Sequence, residues 1–325
     1  MKRRTIFIAI TLVCAAIFGC VVMYGKGVTP LMKAAKAGND AEIQRLIEDK
    51  VDLDQQSKYG WTALMFSAWK GNEITAKKLL AAGADPNIIS SSVPSKFETV
   101  AGHPPSSALE EAIRNHHLDI AKLLIESNAK IDNNSIALAG GEGDIKFLEY
   151  LTATVKDSGK TINFNQPSNN AFHPSALASA ASAGHFRTIK WLINHGADPD
   201  LIAVEQTALK EAVNNDEQEC VSLLLQLGAA PNLSYGSTTE NALFTAVTKY
   251  TEKYNYAKNL AIIKSLLKYG ADTKQKAFNG EHTALEFIQI QRKNAMKNNA
   301  PAKTNITPST AHKNAIIKLL QDYTK

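Results

Sequence analysis

Along most of the chain, short apolar stretches open with a hydroxylated residue and close on a glycine, and the block then starts again. Thr29-Pro30-Leu31-Met32-Lys33-Ala34-Ala35-Lys36-Ala37-Gly38 is answered 33 residues later by Thr62-Ala63-Leu64-Met65-Phe66-Ser67-Ala68-Trp69-Lys70-Gly71. Ser175-Ala176-Leu177, Thr207-Ala208-Leu209 and Asn241-Ala242-Leu243 open further copies, and Ser107-Ala108-Leu109 and Thr283-Ala284-Leu285 open weaker ones. Each opening is followed by a second apolar stretch and a turn, as in Leu79-Leu80-Ala81-Ala82-Gly83-Ala84-Asp85 and Leu192-Ile193-Asn194-His195-Gly196-Ala197-Asp198. The pattern predicts two short helices per repeat. Thr or Ser at the opening caps the first helix by accepting an early backbone N–H. Paired small residues such as Ala34-Ala35 let the two helices approach closely. The Leu-Leu pair is buried between repeats, and the glycine that follows takes the left-handed backbone that stops the second helix.

This period and these motifs resemble the ankyrin repeat, over residues 28–323. The resemblance implies an all-α ankyrin-repeat solenoid of about eight helix-turn-helix repeats with short β-hairpin fingers, in which no repeat buries its apolar face alone. A degenerate repeat lies around residues 134–151, where Gly143-Asp144-Ile145 keeps the mid-repeat turn. Insertions are expected at about 88–105, 152–174, 248–260 and 290–313, and the final copy, ending in Ala315-Ile316-Ile317-Lys318-Leu319-Leu320, is expected to cap the array.

The N-terminus breaks the pattern. Lys2, Arg3 and Arg4 precede an uncharged run from Thr5 to Tyr24 that reads as the basic and apolar regions of an export signal. Ile17-Phe18-Gly19-Cys20 resembles a bacterial lipobox, which implies lipid attachment at Cys20, although Phe18 is large for its position. An uncleaved anchor is the alternative, because about 20 apolar residues span a bilayer. The expected organisation is a leader over 1–20, a linker over 21–28 and the repeat domain over 29–325. The chain is placed on the periplasmic side of a bacterial membrane, lipid-anchored at the outer membrane, or held by an inner-membrane signal anchor.

Charge and cysteine narrow the function. The net charge of +5 falls to +2 without Lys2, Arg3 and Arg4, and the remaining charges are interspersed, so no nucleic-acid footprint is expected. Cys14 and Cys20 lie in the leader and leave Cys220 alone in the body, as a buried thiol with no disulfide partner there. No cofactor, metal site or catalytic constellation is expected. Gly159-Lys160-Thr161 lacks the first glycine of a phosphate loop, and His117 and His185 sit where the repeat family uses histidine structurally, with His116 in the place of the glycine.

In the ankyrin family, partners meet the finger tips, the residue before the opening and the residues before the mid-repeat glycine. Carried onto the second repeat, these are Lys58 and Tyr59, Trp61, and Trp69 with Lys70, and both Trp residues are expected to be exposed. Lys36 and Arg114 occupy matching positions in the flanking repeats, so that the N-terminal concave face is locally basic; a merely solvated rim is the alternative. Tyr235, Tyr250, Tyr254 and Tyr256 are secondary candidates. The expected function is a tethered protein-binding module, monomeric until it binds, that resembles bacterial immunity lipoproteins which occlude a secreted lipase-type toxin. The alternatives are a periplasmic scaffold or chaperone-like partner of an envelope or stress enzyme, and an enzyme with its site in the insertions.

Overall fold

The structure is a computed structural model, which describes residues 27–91, 105–168, 174–203, 206–234, 240–248, 256–277, 280–298 and 308–324. Cys20 and the leader, with Tyr235, Tyr250 and Tyr254, lie outside the described residues. The chain forms two compact units, Met1–Ser135 and Ile136–Lys325.

Among the described residues sixteen helices follow in pairs, one pair per repeat, which gives the eight repeats that the sequence period predicts. In the first unit the pairs are α1 (Pro30–Ala37) with α2 (Asp40–Glu48), α3 (Ala63–Lys70) with α4 (Glu73–Ala81), and α5 (Ala108–Arg114) with α6 (Leu118–Glu126). The unit boundary falls within α7 (Asn133–Glu142), which is followed by α8 (Ile145–Asp157). In the second unit come α9 (Ala176–Ser182) with α10 (Phe186–Asn194), α11 (Ala208–Asn214) with α12 (Gln218–Gln226), α13 (Ala242–Thr248) with α14 (Tyr256–Lys268), and α15 (Ala284–Asn298) with α16 (Pro308–Thr324). Within each unit first helices pack on first helices and second on second: α1 on α3 and α3 on α5, and α9 on α11, α11 on α13 and α13 on α15.

The hydroxyl openings act as read. Thr29, Thr62, Ser107, Ser175 and Thr207 each accept the backbone N–H three residues on, at 3.1–3.3 Å, and the Asn241 carboxamide oxygen does the same at 2.8 Å. Each such cap contributes about 1 kcal/mol. At the far end of the second helices, Gly83, Gly196, Gly228 and Gly270 have φ of +86 to +97°, which lets the following alanine donate back to the Leu79, Leu192, Leu224 and Leu266 carbonyls. In the third repeat Asn128 supplies the same turn at φ 67°.

Neighbouring repeats are bolted together by residues that the helical period does not reveal. The ring of His117 lies over Gly71, where a Cβ would come within 2.5 Å of it, and His185 covers Gly143 in the same way. Asn72 fills this position over Gly38, and its side-chain amide donates to the Ala35 carbonyl at 2.7 Å. On the finger side, Asn87 donates to the Asn128 carbonyl and accepts the Lys130 N–H, and Asn232 makes the same clamp on Gly270 and Asp272.

Two expectations need adjustment. Among the described residues, the only β-ladder is the pair β1 (Lys276–Ala277) and β2 (His282–Thr283); elsewhere the fingers close by local backbone bonds, such as the Ser57 N–H to the Trp61 carbonyl and the antiparallel bridge between Ala203 and Gln206, that do not extend into a ladder. The insertions are shorter than the sequence suggests, because α8 runs to Asp157, α14 begins at Tyr256, and α15 and α16 extend to Asn298 and from Pro308.

Cys220 lies on the buried face of α12, 1% exposed, beside Val221, Leu224 and Leu225. Burial, with Glu217 and Glu219 nearby, pushes its thiol up to about 12. Only the thiolate is nucleophilic, so native protein is expected to resist iodoacetamide at pH 8 and to alkylate at Cys220 once urea unfolds the repeat. Labelling of the folded chain at a rate near that of free cysteine would contradict this packing.

Candidate partner-binding surface

The second repeat brings its aromatic residues into one cluster. Trp61 closes the finger: its backbone N–H donates to the Ser57 hydroxyl at 3.1 Å, and its backbone carbonyl accepts the Ser57 N–H at 2.9 Å. From there the indole turns inward against Phe66 at 5.1 Å and meets Trp69 edge-on at 6.0 Å. The expected exposure of Trp61 is therefore wrong: it is 1% exposed and part of the core. The reason is the neighbouring chain. Ser91 donates to the Tyr59 carbonyl at 2.9 Å and lies within 2.7 Å of where a Gly60 Cβ would stand, so the strand of residues leading into the first insertion covers this finger.

Trp69 is half-buried and keeps a face at the surface of α3. Two lysines from adjacent first helices lie over its ring, Lys70 with Nζ 3.7 Å from the centroid and Lys36 of α1 at 5.3 Å. Each contact pairs an ammonium with the electron-rich indole face. Lys58 is exposed over the half-buried ring of Tyr59 at 5.6 Å. The structure thus brings Lys36, Trp69 and Lys70 together, with Lys58 and Tyr59 on the finger of the same repeat.

Arg114 is a second correction. Its guanidinium donates to the carboxylate of Glu111 one turn earlier, and only 23% of its side chain is exposed against 1% for Glu111. It is committed to holding a buried charge and offers little to a partner. The i, i+3 spacing of Glu111 and Arg114 was the signal in the sequence.

Glu110, beside this pair, is 1% exposed, and its Oε2 has no hydrogen-bond partner among the described residues. Burial first, then the negative charge of Asp132, pushes its carboxyl from about 4.5 up to about 7, against the opposing pull of Arg114; Glu111 adds to the rise, and a hydrogen bond from Asn134 works against it. The folded state holds this proton more tightly than the unfolded chain does. The contribution to stability is complete below about pH 4.5 and is lost as pH rises through 7. Glu110→Gln keeps the shape without the charge, so it is expected to gain about 1–3 kcal/mol over wild type at pH 8 and little at pH 4. Urea unfolding at the two pH values checks this; a gain that does not change with pH would show that ionisation is not the cause.

His116 is exposed at φ 59° in the glycine position, and His117 is committed to Gly71. Gly159-Lys160 terminates α8, with both N–H groups donating back to helix carbonyls, so the order is helix then turn rather than the strand then loop of a phosphate site. Tyr256 meets His312 with the rings tilted at 38° and their centroids 4.7 Å apart, within the second unit. No described helix is long and apolar enough to cross a membrane.

Residues 9–90, 136–235 and 177–277, together more than half of the chain, match the family of ankyrin repeats in three copies. The chain belongs to the ankyrin-repeat family. The ankyrin repeat and KH domain-containing protein mask-1 of Caenorhabditis elegans is 26% identical over 266 residues, 80% of this chain but 9% of that protein. This chain therefore spans about a tenth of that relative's length, and the ankyrin repeats are what the two share. Among solved structures, the ankyrin repeat domain of human ASB11 superposes with a TM-score of 0.55 at 21% identity, covering 75% of this chain and 99% of that one, a likeness of fold alone. A chain in the complex of the Bd0816 predatory endopeptidase from Bdellovibrio bacteriovorus with immunity protein Bd3460 is 26% identical, with a TM-score of 0.47, over 62% of this chain and 99% of that one. That score is too low to carry function. Ankyrin-repeat arrays are a fold in which stacked repeats offer an extended surface for binding.

Proposed function

We propose that this chain is a non-enzymatic, membrane-tethered binder that neutralises a secreted lipase-type effector by covering its active site in the periplasm. The observation that carries the binding role is Trp69, a half-buried aromatic flanked by Lys36 and Lys70 on a repeat array of a protein-binding family. Large aromatic side chains at a protein surface supply contact area at low entropic cost and dominate many interfaces. The tether rests on Ile17-Phe18-Gly19-Cys20 after the basic Lys2, Arg3 and Arg4. Val21 after the cysteine favours the outer membrane.

The test is to search the neighbouring genes for a lipase-type effector and to co-express it with this protein, directed to the periplasm of a sensitive host. Wild type should restore growth, and Trp69→Ala with Lys70→Ala should lose protection while remaining folded. Failure of wild type to protect would overturn the immunity role. Palmitate labelling that is absent in wild type, or that survives in Cys20→Ala, would overturn the lipid tether separately.

A further inference from the structure

We propose that the first-helix row of the N-terminal unit is a receptor for an acidic segment of the protein partner. This deepens the reading above and rests on it only in taking the partner to be a protein.

Seven residues after their caps, the adjacent helices α1, α3 and α5 carry Lys36, Trp69 and Arg114 in one row. Lys70 joins them over the same indole, and Lys33 is exposed one turn earlier on α1. The acids on these three helices are withdrawn from the surface, since Glu110 and Glu111 are 1% and 0% exposed and Glu111 is spent on Arg114. The row thus presents Lys33 and Lys70 to solvent, with Lys36 half-buried beside the indole, while its own two carboxylates are buried. The second helices of the same unit differ, mixing Asp40, Glu42, Glu48, Glu73, Asp119 and Glu126 with their basic residues. In the other unit, α9 and α13 carry no charged residue at all. Basic residues also occur on α14 (Lys258, Lys264 and Lys268) and α15 (Arg292 and Lys293), so what distinguishes the N-terminal row is the pair of lysines held over an indole.

Lys36 and Lys70 share one ring, so two like charges are held close together with an apolar platform between them. A carboxylate placed between the two ammonium groups relieves their repulsion, and an apolar side chain next to it covers the open part of the indole. An Asp/Glu-rich peptide segment with an interleaved apolar residue supplies both. Complementary charge of this kind speeds encounter and makes binding weaken with salt.

The experiment measures fluorescence anisotropy with a short labelled peptide of alternating Glu and Leu, its Gln-for-Glu counterpart, and phosphatidylglycerol vesicles as a competing anionic surface. Wild type should bind the Glu peptide at least about tenfold more tightly than the Gln peptide, with affinity falling as KCl rises from roughly 0.05 to 0.5 M. Lys36→Gln with Lys70→Gln should weaken it by about tenfold or more, whereas the charge-matched Lys77→Gln with Lys130→Gln, away from the row, should change it by less than about twofold. Circular dichroism and thermal melting confirm that each variant is folded. Equal weakening by both pairs, equal binding of the two peptides, or binding of the vesicles without the Glu peptide would overturn the proposal. If it falls while protection still depends on Trp69, the binder stands and only the chemistry assigned to its partner is wrong.

Discussion

Trp61→Ala is expected to destabilise the first unit by about 3–5 kcal/mol, the range for truncating a fully buried aromatic residue. The indole is 1% exposed, packs on Phe66 at 5.1 Å, and sits under chain from the next repeat. Its removal leaves a cavity among helix and finger atoms that cannot close in, since Thr62 and Ser57 are fixed by their own hydrogen bonds. Trp69→Ala should cost less than half as much, because its ring lies at the edge of the same cluster and part of it already faces water. Urea unfolding followed by far-UV circular dichroism separates the two. Equal losses would place Trp69 in the core and remove the basis of the partner surface.

Leu79→Ala should cost about 2–5 kcal/mol and Leu80→Ala distinctly less, although the two residues are adjacent and identical. Leu79 is 0% exposed on α4, which packs between α2 and α6, and its carbonyl accepts the Ala84 N–H that closes the helix. Leu80 is half-buried on the neighbouring flank. In a repeat array each interface is supplied only by its two neighbours, so a void on α4 has no distant contacts to compensate for it. A loss from Leu80→Ala equal to that from Leu79→Ala would mean that α4 is rotated from the orientation described.

The sequence by itself determined whatever depends on spacing within one repeat. The caps at Thr29, Thr62 and Ser107, the glycine stops at Gly83 and Gly196, the eight helix pairs and the burial of Cys220 all follow from local hydrogen bonding and from a 3.6-residue turn that places every third or fourth residue on one face. Only the tertiary structure decided what happens at positions where the repeat pattern leaves the residue open. Trp61 is buried because Ser90 and Ser91, from the following repeat, cover its finger. Arg114 is withheld from the surface because α5 is packed so closely that Glu111 must be neutralised on the spot. Lys36 and Lys70 meet over Trp69 because α1 and α3 lie side by side, although Lys36 and Trp69 are 33 residues apart. A local pattern specifies a helix and its apolar stripe; whether a large side chain at the edge of that stripe meets water or protein depends on the neighbour's side chain, and that contact exists only once the repeats have stacked.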